Sequence, residues 1–207
     1  MSDSRTQRIQ AEAAREAAAL WPAWFDAVRR AEVDAAIRAL HADLDRAVAE
    51  RGATCWQSGD CCRFDDYGHR LYVTGLEAAW FLDQRMARER EGDADRAVTG
   101  AVGPDAARGD EVAVRLPMAT PAPPASSATA CPACPYQIDN RCTVHAVRPM
   151  GCRVFFCEPG TEDWQRDAYE RFHARMQRLH TAHGLVYRYM EWRAALEQGA
   201  GGRGVGV

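Results

Sequence analysis

The chain has 207 residues, of which 47% are apolar and 27% charged, and its net charge is −3. This composition is typical of a globular protein with one domain, or one domain with helical extensions. The small net charge does not favour a nucleic-acid or anionic-membrane partner. No stretch approaches the ~20 consecutive apolar residues of a membrane span, and the polar N-terminus lacks the pattern of a signal peptide. We therefore expect a cytoplasmic protein with no membrane partner.

Residues 1–52 are predicted to form an N-terminal helical region. Apolar side chains recur there at helical spacing, and acids balance arginines as on a solvated face. Pro22 is expected either to begin a second helix at its first turn or to kink one. Gly52 is expected to end the helical region and deliver the chain into the first cysteine.

Residues 53–160 contain every cysteine of the chain, in two clusters about seventy residues apart. In a reducing cytosol, clustered cysteines more often bind metal or carry out redox chemistry than form a disulfide framework. We therefore predict a metal-binding domain whose ligands are the eight cysteines, Cys55, Cys61, Cys62, Cys131, Cys134, Cys142, Cys152 and Cys157. Zinc and iron, the latter as a single ion or an iron–sulfur cluster, both accept thiolate ligands.

The second cluster has the more specific spacing. Cys131 and Cys134 form a CxxC turn that brings two sulfurs within reach of one ion, and later cysteines would complete a site. The Asp139-Asn140 pair indicates a turn that doubles the chain back. Nearby arginines would offset the negative charge of a thiolate site; this role and a solvated surface role are about equally expected for Arg148 and Arg153. His145 has ligand-like spacing, but a packing role is favoured.

Several elements flank the clusters. Thr74 and Glu77 are expected to form the capping-box start of a helix that runs to about residue 90. A short strand is predicted near residues 111–116, and the Pro- and Ala-rich residues 117–130 are predicted to be a flexible linker. Residues 161–198 are predicted to form C-terminal helices, at 162–183 and 185–196, and residues 199–207 a disordered tail.

The cysteine pattern resembles the YkgJ-type cysteine-cluster family, which carries a CxxCxxCC signature and is described as zinc- or iron-chelating. The residues that carry the resemblance are Cys55, Gly59, Cys61 and Cys62 at the start, then Cys131-Pro132, Cys142, Arg148-Pro149 and Cys152-Arg153. Ser58 departs from the pattern because it stands where the family has its second cysteine, and serine is a poor ligand for thiophilic metals. The resemblance implies metal chelation. One relative, a flagellin lysine methylase, adds methyl transfer, but this sequence has no Gly-rich nucleotide-binding loop after a strand.

We therefore expect a mainly α protein, with helical flanks around a small irregular cysteine-rich metal-binding core. The Cys-Pro dipeptides slightly favour an iron–sulfur cluster over zinc. Two alternatives remain: a thiol–disulfide oxidoreductase that uses Cys131 and Cys134, and a zinc-stabilised module that binds protein or RNA through a basic stripe at Arg171, Arg175 and Arg178. Whether the protein is an enzyme stays open at this point.

Overall fold

The computed structural model describes residues 3–53, 59–99 and 133–201, which are mainly helical, as predicted. The helices are α1 (Asp3–Val28), α2 (Ala31–Arg51), α3 (Phe64–Tyr67), α4 (Gly75–Thr99), α5 (Met150–Val154), α6 (Glu162–Ala182) and α7 (Trp192–Gly201). The strands are β1 (Tyr72–Thr74), β2 (Gln137–Ile138), β3 (Arg141–Cys142) and β4 (Tyr189–Glu191). Cys55, Ser58, Cys131, the strand expected at 111–116, the linker predicted at 117–130 and residues 202–207 lie outside the described residues.

One hydrophobic core joins the helices. Helix α1 packs against α4 and α7, whereas α2 packs against α5 and α6. The buried side chains recur at helical spacing, because one face of each helix points inward. The buried residues of α2 include Val33, Ile37, Leu40 and Leu44, and those of α6 include Ala168, Phe172 and Met176. The segment around Met150, which is fully buried, is therefore held between helices from both ends of the chain.

Of the two roles expected for Pro22, the start of a second helix is wrong. Pro22 lies inside α1, and the break comes at Arg29 and Arg30, before α2 begins. The neighbouring Trp21 and Trp24 are buried, so tertiary packing holds the helix together through the proline. Gly52 ends α2 as expected, in the left-handed conformation at φ 74°, with its N–H bonded to carbonyls of the last turn.

Strand β1 pairs with a strand that the sequence did not indicate. The pairing with β4 is antiparallel and places Val73 opposite Met190. The helix expected at 185–196 is therefore wrong in its first half, and α7 instead begins at Trp192 and runs to Gly201, past the boundary at 199. Aromatic residues at this position suit a half-buried strand as well as a helix, which is why spacing alone misassigned them.

No helix within residues 3–53, 59–99 and 133–201 is both long and apolar enough to cross a membrane.

Burial of His180 predicts a loss of stability in acid. Burial lowers the pKa of His180 to about 4, a shift that the nearby Val186 backbone and Glu77 only partly oppose. The neutral ring is favoured in the folded state, so stability is fully present above the ordinary pKa and falls as the pH drops from about 6.5 towards 4. Between pH 7 and pH 5 the free energy of unfolding should fall by up to about 2 kcal/mol through this residue.

The measurement is urea denaturation at both pH values for the native chain and for His180→Leu. The variant should lose less stability than the native chain over this interval. An equal loss in both proteins would show that His180 does not contribute to acid sensitivity.

Candidate metal centre

A tight turn presents the two adjacent cysteines. Gly59 adopts φ 80°, and residues Asp60–Cys62 follow as a single 3-10 turn. Glycine adopts this conformation without the steric cost that a side chain would add. The Cys61 carbonyl is held by the ring of His69, whose Nε2 lies 3.1 Å away. The turn at Gly59 therefore sets the backbone before the two thiols, and the contact with His69 holds the Cys61 carbonyl.

A hairpin carries the next two cysteines. Strands β2 and β3 pair so that Gln137 lies opposite Cys142, and the turn residues Asp139 and Asn140 both have positive φ. The turn predicted from this dipeptide is confirmed. Asparagine and aspartate tolerate this conformation better than most residues, which allows the chain to reverse in two residues. Cys134 comes just before the hairpin and Cys142 lies within it.

Three hydrogen bonds join this hairpin to the turn at Gly59, across the stretch 100–132. Cys134 N–H donates to the Cys62 carbonyl at 2.7 Å. Gln137 Nε2 donates to the Gly59 carbonyl at 2.8 Å. Arg63 Nη2 donates to Asn140 Oδ1, also at 2.8 Å. The two cysteine clusters of the sequence therefore meet through their backbone as well as through their sulfurs.

The third segment that carries a cysteine to the site is helix α5, and a buried carboxylate holds this helix in place. Glu77 on α4 is 1% exposed, and its Oε1 accepts a hydrogen bond of 2.5 Å from the Met150 backbone N–H. The sequence predicts Thr74 as the cap of α4, and Thr74 Oγ1 does accept from the Glu77 N–H at 3.2 Å. The Glu77 side chain leaves that capping role and instead fixes the first turn of α5, which contains Cys152.

Arg153 fixes the same segment from its other side. Its guanidinium donates to the carbonyls of Arg148 at 2.8 Å and Ala146 at 2.9 Å, and to Asp45 Oδ2 on α2 at 2.5 Å. Arg153 is buried, so these partners satisfy donors that would otherwise lose their hydration. Its guanidinium binds oxygens, not sulfur, which identifies Arg153 as an anchor of the chain.

The sulfurs of three segments come together. The Sγ atoms of Cys61 and Cys62 are 3.9 Å apart, and the thiols of Cys62 and Cys134 share a hydrogen bond. Cys142 and Cys152 lie close enough for the charges of Cys61 and Cys134 to raise their pKa values. We call these five residues the thiol cluster. All five are free thiols, and Cys134 is the most buried of them.

The pKa values of the thiol cluster are shifted in two directions, so some members ionise more readily and others stay neutral. Hydrogen bonds from the Cys62 thiol lower the pKa of Cys61 and of Cys134 to about 7. The same two hydrogen bonds raise the pKa of Cys62, which keeps its proton as the shared donor. Burial raises the pKa of Cys142 and that of Cys152. The arrangement supplies both thiolates and thiols at neutral pH.

Arg148 supplies positive charge to the thiol cluster. Its charge lowers the pKa of Cys61 and opposes the rise at Cys142 and Cys152. Its Nε is buried, and among the described residues this atom has no hydrogen-bond acceptor. A buried donor without an acceptor is uncommon in folded proteins. Arg148 therefore acts electrostatically on the thiols, whereas Arg153 binds backbone and carboxylate oxygens.

The donor set fits a thiophilic ion, although the geometry of a finished site is absent from the part of the chain that the structure describes. No group of three or more His, Cys, Asp and Glu side chains there is arranged to hold a metal ion. Five thiols beside a buried guanidinium nevertheless match the chemistry of zinc and iron–thiolate sites, where thiolate charge is offset by nearby donors.

The remaining predicted ligands are distributed as follows. Cys55 and Cys131 fall outside the described residues, and Cys157 lines a cavity that Cys61 and Cys152 also line. His145 is exposed, and its pKa is lowered by desolvation and then by the charges of Arg148 and Arg153. Sequence reasoning missed the anchoring roles of Glu77 and His69. The only signal for Glu77 was its match to a capping box, and the only signal for His69 was its position near the Cys61-Cys62 pair.

Comparison of the chain with models of protein families, with curated proteins and with solved structures finds no match.

The position of Gly59 predicts that a methyl group would disrupt this site. A Cβ on Gly59 would overlap Gln137 Nε2 and crowd the Asn140 backbone. Gly59→Ala should therefore lower the free energy of unfolding by more than the ~1–2 kcal/mol expected for a left-handed non-glycine residue alone.

Gly68→Ala is a matched control. Gly68 has a similar φ of 66°, but a Cβ there would meet no atom within 4 Å. Urea denaturation should show the larger loss for Gly59→Ala. Equal losses would mean that the turn and the hairpin do not pack as described.

Proposed function

We propose that this chain is a metal-binding protein whose cysteine thiolates hold zinc or iron. The observation that carries the proposal is the convergence of cysteines from three separate segments, at Cys61-Cys62, Cys134-Cys142 and Cys152. Cysteine thiolates contributed by separate segments are the usual ligands of zinc and iron sites in proteins. The resemblance to the YkgJ-type family implies the same chemistry.

The spacing of the adjacent sulfurs supports a single four-coordinate ion. Two thiolates on a tetrahedral zinc ion with bonds of about 2.3 Å lie about 3.8 Å apart. The Cys61 and Cys62 sulfurs are 3.9 Å apart. In an iron–sulfur cubane each thiolate binds a different iron, which separates the sulfurs more widely. We therefore propose zinc before an iron–sulfur cluster, although the Cys-Pro dipeptides point slightly the other way.

When bound, the ion would supply a fixed positive charge that cross-links the three segments. Cys61, Cys62 and Cys134 would hold it, with Cys142 or Cys152 as the fourth ligand. Arg148 would offset the charge of the thiolates, and Glu77 and Arg153 would keep α5 in place. A site with four thiolates would be structural, whereas a site with three would leave one position open to a small molecule.

The alternatives have less support. Against the oxidoreductase proposal, the Cys134 thiol shares a hydrogen bond with the Cys62 thiol of the other cysteine cluster. Cys131 lies outside the described residues. For the RNA-binding proposal, Arg175 is occupied by an ion pair with Asp43 at 2.7 Å, and the guanidinium of Arg171 lies 4.9 Å from the ring centre of Phe172. Packing therefore accounts for two of the three arginines in the basic stripe.

Serine variants of the thiol cluster test the proposal. We expect protein purified without oxygen to contain about one zinc per chain, and Cys62→Ser or Cys134→Ser to lose most of it, because serine is a weak ligand for such ions. The measurement is elemental analysis of the folded protein, with removal of the metal by a chelator expected to lower its Tm.

Val154→Ala is the control for damage to the fold. Val154 is fully buried two residues from Cys152, and this change removes packing but no sulfur. The variant should lose stability and keep its zinc. Wild-type metal content in both serine variants would refute the proposal, and iron with sulfide in place of zinc would establish the cluster form.

A further inference from the structure

A cavity of about 280 Å³ opens beside the thiol cluster. Cys61 and Cys152 line both the cavity and the cluster, and Cys157 lines the cavity as well. Pockets that bind small molecules are usually concave and mostly apolar, with a few polar groups that orient the ligand. This cavity is of the same kind, since most of the surface that lines it is apolar.

The apolar walls favour an aromatic ligand. Phe64, Leu71, Phe155 and Phe156 line the cavity. Phe155 is 50% exposed although it lies beside a buried segment, so a large apolar surface faces solvent at this point. A cavity of roughly 150 Å³ holds a benzene ring, so this one has room for a ring and a short substituent.

One cation at the cavity indicates that the ligand is an anion. Arg70 lines the cavity, is exposed, and has no ion-pair partner among the residues that the structure describes. The acidic Asp60 also lines it, but Arg63 lies 3.8 Å away and offsets that charge. His69 is turned towards the Cys61 carbonyl. Cys61 also lines the cavity, and the charge of Arg148 acts on its thiolate. Arg70 therefore supplies the remaining positive charge, and a guanidinium binds a carboxylate through two parallel hydrogen bonds.

We propose that this cavity binds a small aromatic carboxylate, with the ring against the phenylalanines and the carboxylate on Arg70. The ligand would lie against the sulfurs of Cys61 and Cys152. That placement beside a metal ion rests on the proposed function, whereas the binding itself depends only on the cavity.

Titration calorimetry with phenylacetate and its neutral isostere phenylacetamide tests the proposal on the full chain. Phenylacetate should bind with a Kd below about 1 mM, which ten heavy atoms can supply. Phenylacetamide should bind at least about tenfold more weakly, because it lacks the charge that Arg70 recognises.

Three variants sharpen the test. Arg70→Ala should reduce phenylacetate binding to the level of the amide, and Phe155→Ala should weaken the binding of both. Arg178→Ala is the matched control, because Arg178 is an exposed arginine on α6 that does not line the cavity. It should change neither affinity.

Metal analysis of the same samples separates the two proposals. Protein that contains metal and does not bind phenylacetate overturns the ligand proposal and leaves metal binding intact. Folded, metal-free protein that binds phenylacetate with the expected dependence on Arg70 supports the ligand proposal and refutes metal binding. Equal binding of phenylacetate to the native chain and to Arg70→Ala overturns the carboxylate assignment.

Discussion

The backbone hydrogen bond from Cys134 to the Cys62 carbonyl joins two segments that are about seventy residues apart in the sequence. Closing a loop of that length costs about 4 kcal/mol of chain entropy, before any constant term. One hydrogen bond contributes about 1 kcal/mol. This contact and its two neighbours at the hairpin therefore do not offset the whole entropy cost of closing the loop. Apolar packing of the later segment into the core adds to these bonds, and a metal ion shared by the sulfurs on both sides would stabilise the closed loop further. The thiol cluster is thus both the proposed functional site and a place where a cross-link would stabilise the fold.

The helices determine where this cross-link forms. Glu77 and Arg153 hold α5 between α2 and α4, and both use oxygen or nitrogen partners, which leaves the sulfurs free for a ligand. Since α5 is only five residues long, it would not be stable as an isolated helix. Its position depends on these buried polar contacts and on the apolar packing of Met150 and Val154. These contacts present Cys152 to the thiol cluster without involving its sulfur.

Much of the architecture could be predicted from the sequence, because apolar periodicity and glycine or asparagine at turns report local constraints. The hairpin at Asp139-Asn140 and the end of α2 at Gly52 are examples. The start of a second helix at Pro22, one of the two roles expected for it, is wrong because the packing of two buried tryptophans outweighs a local helix-breaking preference. Strand β4 was missed because its partner β1 is more than a hundred residues away in sequence. Spacing identified the cysteines, but it could not show that Glu77 leaves its cap to anchor α5, since that contact exists only in three dimensions.

X-ray absorption at the zinc and iron edges of protein purified without oxygen tests the central claim most directly. The account predicts a metal bound by sulfur in its first coordination shell, with zinc–sulfur distances of about 2.3 Å and a sulfur count of three or four. It also predicts that Cys134→Ser lowers the metal content or the sulfur count, because Cys134 brings the second segment to the site. A metal surrounded only by oxygen and nitrogen, or a folded chain that takes up neither zinc nor iron, would contradict the account.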